Sequence, residues 1–214
     1  MDTERAKMKY DRLSKDEAAL LIIDHQSGLF QLVHDQIPEV FARNVCALAD
    51  IAKVFKLPVV VTTSKEDGPN GPLMPDLRER LTNAKVVRRE GEINAWDNAE
   101  FVKAVKKTGR KQLIVAGITT DVCVAFAALS ALEAGYKVYV VGDASGSLCI
   151  GSSIGAMVRM VHAGVQPMSW FAVASELMRD WRDDQGGGFK KLMAEHVPNY
   201  KQLIDSYEAK KQED

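Results

Sequence analysis

Three side chains of this 214-residue sequence could together support nucleophilic chemistry: Asp24, Arg89 and Cys123. Asp24 directly follows an apolar run typical of a buried strand, and Cys123 falls in the first turn of a predicted helix. A thiol at that position feels the positive end of the helix dipole, which lowers its pKa and favours the thiolate. A carboxylate can accept a thiol proton and an arginine can hold the resulting anions. Together the residue types predict a hydrolytic triad.

The cysteines are distinguished by their surroundings in the sequence. Cys46 falls on an amphipathic stretch that predicts a helix facing the core, and Cys149 lies in a loop with no evident partner. We therefore predict that Cys123 has the lowest pKa of the three. A structural role is the alternative, because free cysteine is among the most buried residue types.

Asp24 and Arg89 also have alternative interpretations. A carboxylate at the end of a strand is also typical of a loop cap or of an ion pair with arginine. Arg88, the neighbour of Arg89, is a second candidate for the cation. From the residue types alone these alternatives stay open.

Short β-branched apolar runs alternate with amphipathic stretches, which predicts parallel strands joined by helices. The predicted strands are residues 18–23, 58–62, 85–87, 112–116, 137–141 and 165–168, and the predicted helices are residues 40–55, 98–108, 122–134, 152–163 and 170–182. Gly109, Gly135 and Gly164 each follow a predicted helix, where a left-handed residue is typical. The fold class is therefore α/β, a parallel sheet with helices on both faces, and ligands bind such sheets at the carboxyl ends of the strands.

Composition excludes several classes of protein. Lys and Arg together number 28 against 29 Asp and Glu, so no overall field attracts nucleic acid or an anionic membrane. The three cysteines are widely spaced without a CxxC pair, which fits neither a disulfide framework nor a structural zinc site and favours a reducing compartment. Residues 1–17 show no targeting signal, and no apolar stretch reaches the ~18 residues of a membrane span. We expect a cytoplasmic protein.

We predict one domain over residues 1–185 and a helical tail over residues 186–214, which begins with Gly186-Gly187-Gly188. The glycine run would let the tail contact a neighbouring subunit, and a surface appendage is the alternative. Residues 65–75 are rich in Gly and Pro, which predicts a long loop of the kind that covers a site.

Four segments resemble the isochorismatase-like cysteine hydrolases, and among them the YcaC-like subgroup. The segments are residues 21–26 (LIIDHQ), 62–64 (TTS), 89–96 (REGEINAW) and 117–123 (GITTDVC). The resemblance runs in the same order from about Tyr10 to Ser206. It implies a three-layer fold with a six-stranded parallel sheet in the order 3-2-1-4-5-6.

The same resemblance implies a role for each residue of the triad. Cys123 would attack a carbonyl carbon and form a thioester-type intermediate, and Asp24 would take the thiol proton and return it to the leaving group. Counting back from Asn94-Ala95-Trp96 selects Arg89 as the residue that stabilises charge. The peptide bond between Ile118 and Thr119 would be cis, and the amides of Thr119 and Cys123 would form the oxyanion hole.

Further implied features are the substrate pocket and the cofactor requirement. Gln26, Phe30, Ser64 and Trp96 are predicted to line the pocket, although aromatic residues at such positions are also typical of a core. Nicotinamidases of this superfamily bind a metal through an Asp and two His after the second strand, where this sequence has no histidine. Its histidines show no ligand spacing, so we expect neither metal nor cofactor; they are His25, His34, His162 and His196.

The function implied is cleavage of a small amide or related C–N bond by an enzyme that forms a homo-oligomer, since YcaC-like proteins assemble as octamers. The alternative is a mitochondria-associated ribonuclease or RNA-binding protein, because a trypanosomatid member of the superfamily carries that label. The basic residues 103–111 are the candidate RNA contact, although they are also typical of a solvated helix end. A third alternative is a non-catalytic protein that keeps the fold.

Overall fold

A single six-stranded sheet organises the chain. The computed structural model describes residues 10–184 and 186–213, with side chains described to residue 210. All neighbouring strands are parallel, and their order is β3-β2-β1-β4-β5-β6, which confirms the implied fold. The strands are β1 (Ala18–Ile23), β2 (Val59–Ser64), β3 (Lys85–Arg89), β4 (Gln112–Gly117), β5 (Lys137–Val141) and β6 (Gln166–Met168).

Helices cover both faces of this sheet. They are α1 (Ser27–Phe30), α2 (Pro38–Val54), α3 (Pro75–Arg80), α4 (Ala99–Lys107), α5 (Ala125–Glu133), α6 (Ile150–Ala163), α7 (Trp170–Met178), α8 (Gly188–His196) and α9 (Tyr200–Glu213). Among the described residues no helix is both long and apolar enough to cross a membrane.

The central strand β1 supplies side chains to two separate hydrophobic clusters. Leu20 and Ile22 pack in the cluster that α2, α7 and α8 share, whereas Leu21 and Ile23 pack in the cluster of α4, α5 and α6. Both faces are buried, which is why the run has no polar alternation. The chain proceeds outward from β1 through β2 on one side and from β4 on the other. Strand order therefore reverses between β1 and β4, and a crevice forms at their carboxyl ends.

Two strands extend further than the sequence indicated. β2 continues to Ser64 and β3 to Arg89, and these two residues are paired across the sheet. Arg89 is therefore the last residue of a strand and not the start of a loop. The apolar pattern that predicts a strand stops before Thr63, Ser64 and Arg89, because these residues are polar. Their side chains lie at the carboxyl edge of the sheet and not in its apolar core.

Two predicted helices are corrected at one end. The helix predicted from Val122 begins instead as a π-helical turn, Thr120–Val124, in which the Val124 amide donates to the Thr119 carbonyl five residues back (3.1 Å). The helix predicted to end at residue 182 ends at Met178, because Arg179 has a φ of 67°. Gly109, Gly135 and Gly164 have positive φ, as predicted for residues that end helices.

The segment after residue 186 is helical, but its first half belongs to the core. Phe189, Leu192 and Met193 of α8 are buried in the same cluster as α2, and His196 contacts Asp50 of α2 (Nε2 to Oδ2, 3.0 Å). α8 therefore packs as part of the core, and the contact of the tail with a neighbouring subunit stays a prediction. The predicted boundary at residue 185 lies outside the described residues, as do residues 1–9 of the segment inspected for a targeting signal.

We expect Gly117→Ala to lower the free energy of unfolding by roughly 1–3 kcal/mol. A Cβ at this position, beside β1, would lie 2.4 Å from the Ile23 carbonyl oxygen. The control is Gly155→Ala in the exposed surface of α6, where a Cβ meets no atom within 4 Å. Removing a helical glycine there should raise stability by up to ~1 kcal/mol. Urea unfolding measures both variants, and equal effects would contradict the packing at Gly117.

Candidate active site

Asp24 is held at the carboxyl end of β1 by an unusual backbone conformation. Its φ is 55°, in the left-handed region, where aspartate is one of the few residues tolerated beside glycine. Its amide donates to the Thr62 carbonyl (2.9 Å), and its own carbonyl accepts from the Gln26 amide (2.7 Å). The side chain is 2% exposed, so its charge needs a partner within the protein.

That partner is Arg89. Its NH2 group donates to both carboxylate oxygens of Asp24, in an ion pair that is buried on both sides. The other donor groups of the guanidinium also have partners: Nε donates to Thr62 Oγ1 (3.0 Å), and NH1 donates to the carbonyls of Glu92 and Ile93. Arg89 is thus fixed by acceptors from three segments of the chain.

Arg88 lies on the other side of the strand. Its side chain is 68% exposed, and its Nε donates to Glu66 (2.8 Å). Of the two adjacent arginines that the sequence offers, the structure therefore brings Arg89 to Asp24.

Cys123 lies in the π-helical turn opposite this ion pair. Its half-buried thiol lies close enough to the Asp24 carboxylate and to the Thr119 backbone for both to shift the pKa of the thiol. The turn itself is fixed from outside: the Thr120 amide donates to the Gly146 carbonyl (2.9 Å), and the Ser147 hydroxyl donates to Asp121 (2.6 Å). The peptide bond between Ile118 and Thr119 is cis, as the resemblance implied.

The expected ordering of the thiol pKa values is wrong. Burial raises the pKa of Cys123 to about 12, the charge of Asp24 adds to this shift, and the Thr119 amide and Arg89 oppose it. The pKa of Cys149 is instead lowered, because the exposed thiol is hydrogen-bonded to Ser152. The helix dipole argument fails because burial and an adjacent anion outweigh it at Cys123. The Cys123 thiol therefore keeps its proton in the resting protein.

Asp24 is suited to remove that proton. Burial raises the pKa of its carboxyl group, while the charge and hydrogen bonds of Arg89 oppose the rise. A higher pKa makes the carboxylate a stronger base, and its proximity to the thiol gives the proton a short path. The arrangement can therefore form a thiolate during attack without keeping one at rest.

Gln26 has a structural role that its sequence position did not reveal. It is completely buried, and its side chain binds the backbone of Ser64 in both directions, accepting from the amide (2.8 Å) and donating to the carbonyl (3.0 Å). The same amide group donates to the Gly71 carbonyl (2.5 Å). Gln26 thus fastens the predicted loop of residues 65–75 to the end of β1.

The close approach of this loop also requires a glycine at position 28. The Gly28 amide donates to the Asn70 carbonyl (2.8 Å), and a Cβ on Gly28 would lie 1.9 Å from the Pro69 carbonyl oxygen. The dipeptide Ser27-Gly28 carried no sequence signal for this contact, because its partner lies about forty residues away.

The two predicted pocket aromatics are both half-buried and pack on other rings. Phe30 stacks on Phe41 (ring centroids 5.7 Å apart), and Trp96 makes edge contacts with Phe101 (6.0 Å) and Tyr136 (5.8 Å). The segment that carries Trp96 is tied to α5, because the Asn94 side-chain amide donates to the Ser130 hydroxyl (3.0 Å). Their contact with a substrate stays a prediction.

The histidines take no direct part in the triad contacts described above. His25 follows Asp24, but its Nε2 bonds the Ala144 carbonyl (2.9 Å), and burial lowers its pKa to about 4. His196 lies with Asp50 and Glu195 in a group whose geometry could hold a metal ion. Arg80 contacts both of those carboxylates, however, and so already supplies a positive charge there.

Sequence and structure comparisons show which proteins this chain resembles. The sequence model of the isochorismatase domain matches residues 18–171. The Escherichia coli (strain K12) protein named "Probable hydrolase YcaC" is 53% identical over 199 residues, which cover 93% of this chain and 95% of the relative. Its structure, described as an octameric hydrolase of unknown specificity, has a TM-score of 0.91 and covers 94% of this chain and 98% of that chain.

Two further structures show how far the similarity extends. YcaC from Pseudomonas aeruginosa, with hexane-2,5-diol and covalent acrylamide, is 55% identical with a TM-score of 0.91 over 93% of this chain and 98% of that chain. The MAR1 ribonuclease from Caenorhabditis elegans is 23% identical with a TM-score of 0.78, over 88% of this chain and 95% of that chain. The second similarity shows a shared fold alone.

Alkylation by iodoacetamide near neutral pH is expected to label Cys149 before Cys123, because only thiolates react and the pKa directions of the two thiols are opposite. Labelling of Cys123 should rise at a higher pH than that of Cys149. Asp24→Asn removes the neighbouring anion and should move the Cys123 profile to lower pH. Peptide mass spectrometry reads each site separately, and faster labelling of Cys123 in the unchanged protein would contradict the protonated resting state.

Proposed function

This chain belongs to the isochorismatase family, and on that premise we propose that it is a cysteine hydrolase that cleaves a small amide or related C–N bond without a cofactor. The observation that carries the proposal is the contact of the Cys123 thiol with the buried Asp24–Arg89 pair. Nucleophile, base and fixed counter-charge meet where strand order reverses in the sheet.

The first half of the reaction transfers the acyl group to the enzyme. The Cys123 sulfur attacks the carbonyl carbon while the thiol proton moves to the Asp24 carboxylate, and the carbonyl oxygen becomes an oxyanion. The oxyanion then collapses, the C–N bond breaks, and the departing nitrogen takes the proton from Asp24. The product is a thioester on Cys123 and a free amine or ammonia.

The second half releases the acid by the same path. A water molecule attacks the thioester carbon and gives its proton to Asp24. The C–S bond breaks, and the proton returns from Asp24 to the Cys123 sulfur. Carboxylic acid is released, and Asp24 is again ionised beside Arg89.

Arg89 acts in this scheme through Asp24. Because all its donor groups already have acceptors in the protein, it holds the carboxylate in place and does not bind the oxyanion directly. The amides of Thr119 and Cys123 are then the proposed oxyanion donors, and the contact of the Thr119 amide with the sulfur supports this.

The Pseudomonas aeruginosa relative supports an amide-binding nucleophile. Its structure contains covalent acrylamide, a small primary amide whose alkene reacts with thiols. At 55% identity and a TM-score of 0.91, the relative is similar enough to make small amides the first compounds to test with this chain.

A ribonuclease function has less support. The basic residues 103–111 lie at the end of α4 and before β4, at the amino edge of the sheet, whereas the triad lies at the carboxyl edge. RNA bound by these residues would therefore be remote from Cys123.

Homo-oligomer formation is part of the proposal, because the Escherichia coli relative is described as octameric. On α6 the exposed apolar residues Ile150, Ile154, Val158 and Val161 follow helical spacing along one face. This face is the proposed contact between copies, and α9, which exposes Leu203, is a second. A reducing compartment, the cytoplasm, is proposed from the three free cysteines.

Cys123→Ser and Asp24→Asn should each reduce kcat by about 10³-fold or more, because one lacks the nucleophile and the other the base. A panel of small amides, screened by mass spectrometry for an acyl adduct on Cys123, identifies the substrate for this measurement. Cys149→Ser should keep full activity. Full activity in Cys123→Ser would mean that the reaction does not pass through the thiol.

Arg89→Lys should also reduce kcat strongly, because lysine cannot donate to Asp24, Thr62 and the carbonyls of residues 92 and 93 at once. Arg88→Lys is the matched control, because the Arg88 side chain is exposed and bonds Glu66, away from Asp24. A larger loss of kcat in the control than in Arg89→Lys would contradict the assignment.

Ile154→Glu should shift the protein to smaller species, because it places a charge in the apolar face of α6. Lys106→Glu, a charge change on the exposed surface of α4, should leave the assembly unchanged. Sedimentation velocity measures both. A monomer in the unchanged protein at micromolar concentration would contradict the proposed assembly.

A further inference from the structure

We infer that this active site accepts uncharged or cationic carbonyl compounds and excludes those that carry a carboxylate near the reacting carbon, with Asp121 as a specificity-determining residue. The inference rests on the proposed cysteine hydrolase function and concerns the charge of its substrate. It is drawn from how the charged groups at the carboxyl edge of the sheet are partnered.

The cation of the site is not available to a substrate anion. The Arg89 side chain is completely buried, and Asp24 accepts from its NH2 group with both oxygens. Thr62 and the carbonyls of residues 92 and 93 occupy Nε and NH1. A substrate carboxylate would have to displace Asp24, the proposed base, to reach it.

The loops around the site offer few other cations. The segments that follow β1, β3, β4 and β5, residues 24–37, 90–98, 118–124 and 142–149, contain no lysine or arginine. The segment after β2 contains Lys65, which pairs with Asp67 (3.3 Å), and the exposed Arg88 pairs with Glu66 (2.8 Å). Acidic residues of these loops include Asp35, Glu90, Glu92, Asp97, Asp121 and Asp143. The edge is therefore acidic although the whole chain is nearly neutral.

Asp121 is the charged side chain nearest in the chain to Cys123. It lies in the same π-helical turn, and the Ser147 hydroxyl donates a hydrogen bond to it (2.6 Å). Burial acts to raise the pKa of Asp121, but hydrogen bonds to the carboxylate outweigh it and the pKa is lowered, so the group is ionised at neutral pH. The turn that carries Cys123 thus also carries a negative charge that Ser147 holds in place.

The proton movement of the proposed reaction explains why the negative potential at this edge of the sheet favours a neutral substrate. Before attack the site holds a neutral thiol and an ion pair. After attack it holds protonated Asp24, charged Arg89 and the substrate oxyanion. The net charge is the same in both states. A carboxylate on the substrate would add a negative charge without a cation in both states, and the ionised Asp121 of the same turn would repel it.

The test compares two small electrophiles, acrylamide and its anionic counterpart acrylate, on the full chain. In either reaction the Cys123 sulfur bonds to the terminal alkene carbon, the thiol proton passes through Asp24 to the adjacent carbon, and nothing leaves. Rates at Cys123 are read by peptide mass spectrometry and divided by the rates of the uncharged thiol 2-mercaptoethanol, which removes the intrinsic difference between the reagents.

The normalised preference of Cys123 for acrylamide should be about tenfold or more at low salt, and added salt should reduce it. Asp121→Asn should reduce the preference by about threefold, whereas Asp121→Glu should keep most of it. The control is Asp16→Asn, an exposed carboxylate before β1 at the opposite edge of the sheet, which should leave the preference unchanged.

Each outcome decides a separate question. Equal normalised rates for acrylate and acrylamide at Cys123 would overturn the inference and leave the cysteine hydrolase proposal standing. A preference that persists unchanged in Asp121→Asn would overturn the role of Asp121. Failure of both reagents at Cys123, even at the alkaline pH at which iodoacetamide labels this thiol, would count against the hydrolase proposal itself.

Discussion

The buried ion pair of Asp24 and Arg89 is the constraint on which the site depends. Removing two charges from water costs several kcal/mol for each ion, so the pair persists only where the geometry and the remaining hydrogen bonds are satisfied. Its supports come from distant segments: the end of β1, the Thr62 hydroxyl on β2 and the carbonyls of residues 92 and 93 after β3. The sheet order brings these together, because β2 lies between β1 and β3. The Thr62 hydroxyl also donates to the Val87 carbonyl (2.9 Å), so it is hydrogen-bonded both as a donor and as an acceptor.

The same pair decides how the thiol can react. A thiolate beside an ionised carboxylate in a buried place is unfavourable, and the raised pKa of Cys123 expresses this. In the proposed reaction, proton transfer to Asp24 removes the repulsion at the moment that the sulfur becomes a nucleophile. Reactivity then depends on contact between Asp24 and the thiol, and not on a preformed thiolate. A fully engaged Arg89 fits this scheme, since a cation free to move would pair with the thiolate or with a substrate anion.

The loops at the carboxyl edge are held as firmly as the triad. The Gln26 side chain, which follows β1, hydrogen-bonds the end of β2 at Ser64 and the Gly71 carbonyl. Because position 28 is a glycine, the loop of residues 65–75 can lie directly on α1. On the opposite side of β1, Ser147 ties the segment after β5 to the turn of Cys123 through Asp121. The site is thus assembled from loops that are bound to each other by buried polar side chains. Such contacts restrict the shape of the crevice before any substrate enters it.

The sequence determined the architecture and the edge of the sheet at which the candidate residues lie, whereas the structure decided that Arg89 and not Arg88 meets Asp24. The alternation of apolar runs with amphipathic stretches predicts the parallel sheet, and strand ends place Asp24, Arg89 and Cys123 at one edge, because parallel strands all end there. The glycines that end helices can also be predicted from the sequence, because only the local backbone geometry requires them. Tertiary structure decided what depends on distant partners. The pKa of Cys123 depends on burial and on Asp24, the role of Arg89 depends on acceptors from three segments, and Gln26 supports a loop far along the chain. The burial of α8 likewise depends on a place in the core beside α2 that only the folded chain provides. Local patterns carry no information on such contacts, because desolvation and hydrogen bonding are set by neighbours in space.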